Sequence, residues 1–165
     1  MDVTIRQMTA DDLAEVLWIE ERSFTVAWSR RSFAYELDSD IAISMVASKA
    51  DSVIGYICVH ALLDLAYILK LAVHPGLRRQ NVATLLIDHT LKALHAMSCE
   101  KVLLEVRRSN ELAMRLYERF GFKRLSVRKD YYTDPTEDAI TMILNVSTPA
   151  NAKYVLLWGQ GDQSS

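Results

Sequence analysis

Between residues 65 and 97 the hydrophobic period switches from that of a strand to that of a helix, and the rest of the fold must be built around that junction. Leu65–Val73 is an apolar run of strand length, broken only by Lys70. It stops at His74-Pro75-Gly76, where proline withdraws a backbone donor and glycine frees the torsions. Beyond it Val82, Leu85, Leu86, Leu91, Leu94 and Met97 recur at the spacing of a long helix with a wide buried stripe. Arg78-Arg79-Gln80-Asn81 therefore forms a turn that opens directly into a helix. Such a turn aims several backbone N–H groups at one point, and the helix dipole adds partial positive charge there. With two arginines at its mouth the junction suits a phosphate. On this stretch alone, a helix start with solvated arginines would look the same.

The remaining segments supply the other elements. Val3–Arg6 alternates like a short strand. Thr9 with Asp12 three residues later has the spacing of a capping box, ahead of Leu13, Val16 and Leu17 at helical intervals. A second short helix starts at Ser29 and runs towards Leu37. Ile41–Ser48 and Val53–Val59 flank Lys49-Ala50-Asp51-Ser52, a hairpin turn. After the long helix, Lys101–Val106 is a short buried strand. Asn110 then caps a helix carrying Leu112, Ala113, Leu116, Tyr117 and Phe120 on one face, with Gly121 at a left-handed C-terminal position. Phe122–Val127 and Ala139–Val146 are two further strands, joined through Tyr131-Tyr132-Thr133-Asp134-Pro135. The order β-α-α-β-β-β-α-β-α-β-β describes a mixed α/β domain without internal repeats. Ser147–Ser165 departs from it: a linker at 147–151, an apolar Tyr154–Trp158 able to add a strand or dock on a neighbour, and a frayed end from Gly159.

Composition removes several classes of function. A length of 165 residues suits one domain. A net charge of −2 argues against a protein that lives on nucleic-acid phosphates, which would carry a basic excess. Cys58 and Cys99 form no CxxC pair and the four histidines are scattered, so neither a disulfide framework nor a zinc site is expected. Two buried thiols in a reducing compartment fit better. The N-terminus lacks a basic segment followed by an apolar one, and the greasiest stretch, Ala61–Val73, contains Asp64 and Lys70 and is too short to span a bilayer. A cytoplasmic protein without membrane contact is the expectation.

The junction keeps informative company. Trp28-Ser29 follows the first helix, and Leu71-Ala72-Val73 precedes the proline turn. Leu104-Glu105-Val106-Arg107, Ser109-Asn110, Leu116-Tyr117-Glu118, Gly121-Phe122, Tyr131-Tyr132 and Glu137-Asp138-Ala139 follow in order. This series, from Val3 to Val146, resembles the GNAT superfamily, whose signature at a strand-to-helix junction is [Q/R]-x-x-G-x-[G/A]. Arg78 matches its first position and Ala83 its last, while Asn81 stands where the central glycine is usual. Within the superfamily the chain is most similar to RimI-type ribosomal-protein-alanine N-acetyltransferases. The resemblance implies a GNAT-type α/β fold over residues 1–146, a central mixed, mostly antiparallel sheet flanked by helices, with 147–165 as linker and tail. It implies acetyl-CoA as cosubstrate, no metal, and as acceptor the N-terminal α-amino group of a protein, a ribosomal protein among the candidates. Backbone groups of Leu71, Ala72 and Val73 would hold the pantetheine arm and face the thioester carbonyl. Arg78, Arg79, Gln80, Asn81, Val82, Ala83 and Thr84 would wrap the pyrophosphate, with Asn110 supporting the pantetheine. Glu105 would be the general base and Tyr117 the general acid, with Trp28, Tyr131 and Tyr132 as walls around the incoming peptide terminus.

The chemistry calls for these residue types independently. An amine must lose a proton before attacking a thioester, and an α-amino group, with a pKa of about 7.7–8.0 against about 10.4 for lysine, loses it readily. A carboxylate acting through one water can take it, and burial of Glu105 would raise its pKa towards neutrality. The alternative for Glu105 is an exposed strand-end carboxylate paired with Arg107 or Arg124. A tyrosine can protonate the departing thiolate, although Tyr117 equally suits a core aromatic. Trp28 would equally suit a cover over the core edge. Lys70 occupies a position where relatives often carry a small polar residue, and so bears on which acceptor side chain is accepted. The two cysteines lack a neighbouring base, which favours direct transfer over a covalent cysteine route. Two other readings keep the fold: transfer to a small-molecule amine, decided by residues 23–37 and 131–137, and a non-catalytic acetyl-CoA-binding module, for which Asn81 and the tail speak. At position 81 a glycine would supply a left-handed torsion, and asparagine is among the few other residues that adopt one readily.

Overall fold

The structure, a computed structural model, describes residues 2–146, so the expectations for Ser147–Ser165 lie outside the described residues. The chain divides into two compact units. Among the described residues, one comprises 2–61 together with Ile68–Thr90; the other comprises Leu62–Tyr67 and 91–146.

The first unit holds β1 (Thr4–Gln7), α1 (Leu13–Ser23), α2 (Arg30–Asp38), β2 (Ala42–Lys49), nearly all of β3 (Ser52–Leu62), most of β4 (Leu65–Val73), and the start of α3 (Val82–Ala96). Its strands are hydrogen-bonded in the order β1-β2-β3-β4. β1 and β2 run antiparallel from Thr4↔Ser48 to Gln7↔Met45, and β2 and β3 from Ala42↔His60 to Lys49↔Ser52. The hairpin turn falls as expected, with Ala50 and Asp51 at φ 49° and 65°. Asp12 organises the entry to α1. Its carboxylate accepts from the Thr9 backbone N–H at 2.8 Å and takes the Arg6 guanidinium at 2.8 Å on both oxygens. Ser29 caps α2 through the Ser32 N–H at 3.1 Å. Leu13, Val16, Ile19, Phe33, Val46 and Tyr56 form the heart of the core, where Phe33 meets Tyr56 edge-on at 5.7 Å. Gly55 is required by close approach: a Cβ there would stand 3.0 Å from the Ala72 carbonyl oxygen and 3.2 Å from side-chain atoms of Val82 and Leu86. The missing side chain lets the first turn of α3 settle beside the end of β4.

The second unit holds β5 (Lys101–Arg107), α4 (Glu111–Arg119), β6 (Lys123–Tyr132) and β7 (Glu137–Asn145), with strand order β5-β7-β6. Both ladders are antiparallel: β5 and β7 from Lys101↔Asn145 to Arg107↔Ala139, β6 and β7 from Lys123↔Ile143 to Tyr132↔Glu137. Asn110 caps α4 through the Ala113 N–H at 3.2 Å, and Gly121 has φ 99°, the left-handed torsion its place after the helix demands.

The element order is the expected one, with three local corrections. In α3 the buried stripe is Val82, Leu86, Ile87, Leu91 and Leu94, while Leu85 is 40% exposed at its rim and Met97, beyond the helix end, 53%. In α4, Met114, Tyr117 and Phe120 are buried, whereas Leu112 is 66% exposed. At 3.6 residues per turn Leu112 lies about 200° round from Met114, on the solvent side. Third, β6 does not stop at Val127; pairing with β7 resumes beyond an irregularity at Arg128 and carries the strand through Tyr131 and Tyr132. These tyrosines end a strand rather than occupy a loop.

Candidate active site

The phosphate-suited turn lies wholly in the first unit. β4 ends at Val73, and His74 accepts the Gly76 N–H on Nδ1 at 3.0 Å within a single 3-10 turn, Pro75–Leu77. Arg78 folds back: its Nε donates to the Val73 carbonyl at 3.2 Å and an Nη to Ser23 Oγ at 3.3 Å. Arg79 and Asn81 both take left-handed torsions, φ 63° and 65°, on either side of Gln80. Asn81 thus does what glycine would do there, and Arg79 does so without any signal in its residue type. The Leu85 N–H bonds the Asn81 carbonyl at 3.0 Å, so the N–H groups of Val82, Ala83 and Thr84 precede the first intrahelical bond. Backbone donors collected in this way, beside exposed arginines, are an arrangement suited to an anion.

Trp28 also belongs to the first unit. It is half-buried, its ring tilted over Phe33 at 5.3 Å, and its backbone N–H donates to Glu20 Oε2 at 2.9 Å. Glu20, with a fully buried side chain, also accepts from the Tyr56 hydroxyl and from Lys70 Nζ at 2.8 Å. The Lys70 ammonium lies 3.8 Å from the centre of the Phe24 ring and 5.1 Å from that of Trp28. Lys70 is thus the partner of a buried carboxylate and fixes the segment that carries Trp28. Sequence reasoning passed over Glu20, although its place four residues after Val16, on the apolar face of α1, was a readable sign of a buried charge.

The second unit gathers the proposed acid–base groups. Glu105, opposite Thr141 on β7, has a side chain only 7% exposed. Its Oε2 accepts the Tyr67 hydroxyl, and its Oε1 lies 3.3 Å from an Arg128 Nη. Burial pushes the carboxyl above the usual range, and Arg128 pulls against that. Neither Arg107 nor Arg124 is its partner, because each is engaged elsewhere. Arg107 bonds Glu137 at 3.3 Å and the carbonyls of Thr133 and Pro135, and Arg124 meets Glu118 at 3.3 Å. Tyr117 is buried edge-on to Phe122 at 5.5 Å, and burial raises its phenol further with Tyr132 nearby. The Tyr131 and Tyr132 rings meet edge-on at 5.0 Å, with Arg128 over the first at 5.3 Å and Arg107 over the second at 4.4 Å. Burial pushes Tyr132 up to about 12. Asn110 appears here as a helix cap. Tyr67 and Arg128 were missed by sequence reasoning, since their bond partner is distant in the chain.

Both cysteines are buried; burial drives the Cys58 thiol up to about 12 and raises Cys99, whose Sγ donates to the carbonyls of Asp64 and Lys101 at 3.3 Å each. Such thiols are poor nucleophiles at neutral pH. Among the described residues no group of three or more His, Cys, Asp or Glu side chains could hold a metal ion, and no helix is long and apolar enough to cross a membrane.

The family model described as "Acetyltransferase (GNAT) family" matches residues 13–122, from the start of α1 through the turn between β4 and α3 to just before β6. The chain belongs to this family. It is therefore an acetyl-CoA-dependent N-acetyltransferase of the mixed α/β GNAT fold. The [ribosomal protein bS18]-alanine N-acetyltransferase of Escherichia coli K12 is 32% identical over 146 residues, 87% of this chain and 98% of that protein. An N-alpha-acetyltransferase of Saccharolobus solfataricus is 30% identical, covering 86% of this chain and 92% of its own length. Among solved structures, the ribosomal-protein-S18-alanine N-acetyltransferase of Escherichia coli superposes with a TM-score of 0.83 at 31% identity, over 89% of this chain and 96% of that one. Ard1 of Thermoplasma volcanium does so with 0.83 at 29%, over 90% and 100%.

Proposed function

We propose that this GNAT acetyltransferase acetylates the N-terminal α-amino group of a protein, in the manner of the RimI-type enzymes and with a ribosomal protein as acceptor. The observation that carries this reading is the 32% identity to the bS18-alanine N-acetyltransferase, sustained over 87% of the chain. Acetyl-CoA supplies the acetyl group as a thioester. Residues 78–84 hold its pyrophosphate through the backbone donors at the start of α3, and the end of β4, at Leu71, Ala72 and Val73, receives the pantetheine arm, with Asn110 beside it. Glu105 takes a proton from the acceptor ammonium, a role its burial and raised carboxyl suit. Tyr117 is the general acid that meets the departing thiolate with a proton or a hydrogen bond, its phenol being kept protonated by burial until then. Trp28, Tyr131 and Tyr132 line the way in for the peptide terminus. Residues 1–146 constitute the acetyltransferase domain, 147–165 an appended linker and tail, and the cytoplasm is the place of work. The protein is incubated with acetyl-CoA and a panel of peptides varied at the first residue, beside free amino acids and polyamines. Acetylation of peptide α-amino groups, alanine-terminated ones foremost, is the expected result. Transfer confined to free small amines would overturn it.

A further inference from the structure

We propose that Arg128 is an exchangeable counter-ion for Glu105, occupying in the free enzyme the place that the acceptor's ammonium later takes, while Tyr67 holds the carboxylate still during the exchange. The proposal rests on the reading of Glu105 as the base.

Each Glu105 oxygen has its own partner: the Tyr67 hydroxyl on Oε2, the Arg128 guanidinium on Oε1 at 3.3 Å. The partners differ in kind. Tyr67 is half-buried and neutral and belongs to β4, whereas Arg128 reaches in from β6 with 56% of its side chain exposed. The Glu105 side chain, at 7%, is almost out of water. A buried carboxylate without a nearby cation drifts towards its protonated form, which cannot accept the proton of an incoming ammonium. Arg128 answers that need, and its exposure makes it easy to release, since water can solvate the freed guanidinium and the Tyr131 face is beside it at 5.3 Å. An ammonium arriving at Oε1 brings the same charge, so the exchange leaves the local charge unaltered. The proton then passes from nitrogen to the carboxylate, giving a neutral amine with a free electron pair and a neutral carboxylic acid. The other groups around the site do not offer this exchange. Arg107 is committed to Glu137 and to two carbonyls, Tyr132 of β6 is a phenol with burial holding its proton, Tyr117 of α4 sits by Tyr132, and the β7 residue opposite Glu105 is Thr141.

The test uses the whole chain with acetyl-CoA and an alanine-terminated peptide, recording kcat and KM for the peptide from acid to alkaline pH. Arg128→Gln is expected to move the acid limb of kcat/KM to higher pH by about half a unit or more, about a threefold loss at a pH below the limb. It is also expected to lower the peptide KM on the plateau, because the competing cation is gone. Arg128→Lys should return both values towards those of the parent. Tyr67→Phe should shift the limb in the same direction without lowering KM, since it removes a hydrogen bond to the charged form but no cation. A parental limb in Arg128→Gln, or a peptide KM that stays or rises, overturns the proposal; a raised KM would mean that Arg128 binds the acceptor instead of yielding to it. Glu105→Gln is run alongside. If it is as active as the parent, the assignment of the base fails; if it is inactive while Arg128→Gln behaves as the parent, this proposal alone fails.

Discussion

Replacing Lys70 by methionine would test the buried charge network around Glu20. Methionine keeps the unbranched apolar stem and removes the ammonium. Glu20, with 0% of its side chain exposed, would keep the Tyr56 hydroxyl and the Trp28 N–H but lose its cation. Breaking a buried ion pair from one side costs about 3–5 kcal/mol, because the remaining charge is left without compensation. Loss of the ammonium from the Phe24 and Trp28 faces adds about 0.5–1 kcal/mol, and a methionine sulfur against the same rings returns a comparable amount. The net expectation is a loss of about 3–5 kcal/mol out of a typical total of about 5–15. For a chain of this length that lowers Tm by roughly 6–20 °C. Urea unfolding followed by tryptophan fluorescence, beside a calorimetric melt, would measure it. The double variant Glu20→Gln with Lys70→Met should recover most of the loss, since the amide oxygen can accept from the Trp28 N–H while its NH2 donates to the Tyr56 hydroxyl oxygen, with no stranded charge. A Lys70→Met loss below about 1 kcal/mol, or a double variant less stable than the single one, would refute the view that the pair is buried and mutually dependent.

Glu105→Gln should lower kcat by about 10²–10⁴-fold at neutral pH in a peptide-acetylation assay, as expected for removal of a general base. In the parent, activity needs the ionised carboxylate, so kcat/KM should be high above the Glu105 pKa and fall as pH drops through it, at a pH above the ordinary carboxylate range because burial raises the group. Asn81→Gly should leave acetyl-CoA affinity unchanged or improve it in calorimetry, since φ 65° suits glycine; a large loss would show that the amide itself contacts the cosubstrate. Asp12→Asn should cost about 1–2 kcal/mol at pH 7 through the weakened cap and the lost Arg6 pair. Because Asp12 is held below the usual carboxylate range, its contribution is present above the unfolded pKa of about 3.9 and disappears as pH falls through the folded one. Acid titration of both proteins should therefore show their stabilities converging below pH of about 4, and an unchanged gap there would refute the linkage.

The order of elements was legible because local chemistry punctuates this chain. Pro75 and Gly76 end a strand, Ser29 and Asn110 cap helices, and Gly121 closes one, each acting within a few residues of itself. β6 was cut short for the opposite reason. Beyond Val127 the run Arg128-Lys129-Asp130 is polar and exposed, so no alternation of apolar and polar residues marks the far half of the strand, which exists through pairing with β7 up to Tyr132↔Glu137. A ladder to a later strand leaves no period to read. Arg79 is a similar case, since its left-handed torsion is imposed by the path of the turn and arginine does not announce it.

The same distinction separates what was found at the candidate site from what was missed. Glu105 and Asn81 could be singled out because each stands at a fixed place in a short motif: a carboxylate near the end of a buried strand, and a turn residue before a helix. Whether a carboxylate can serve as a base depends on its surroundings, and those come from far away: Tyr67 stands 38 residues earlier in the chain, and Arg128 comes from a strand whose extent the sequence concealed. The alternative reading of Glu105, an exposed strand-end carboxylate, paired it with Arg107 or Arg124. The structure gives Arg107 to Glu137 and the Thr133 and Pro135 carbonyls, and Arg124 to Glu118. Side chains two apart on a strand share a face, yet Arg107 finds its partners across the ladder, where Glu137 lies beyond Ala139, the residue opposite it. The ion pairs around this carboxylate thus follow register, which is why Glu105 could be singled out from its motif and its partners could not.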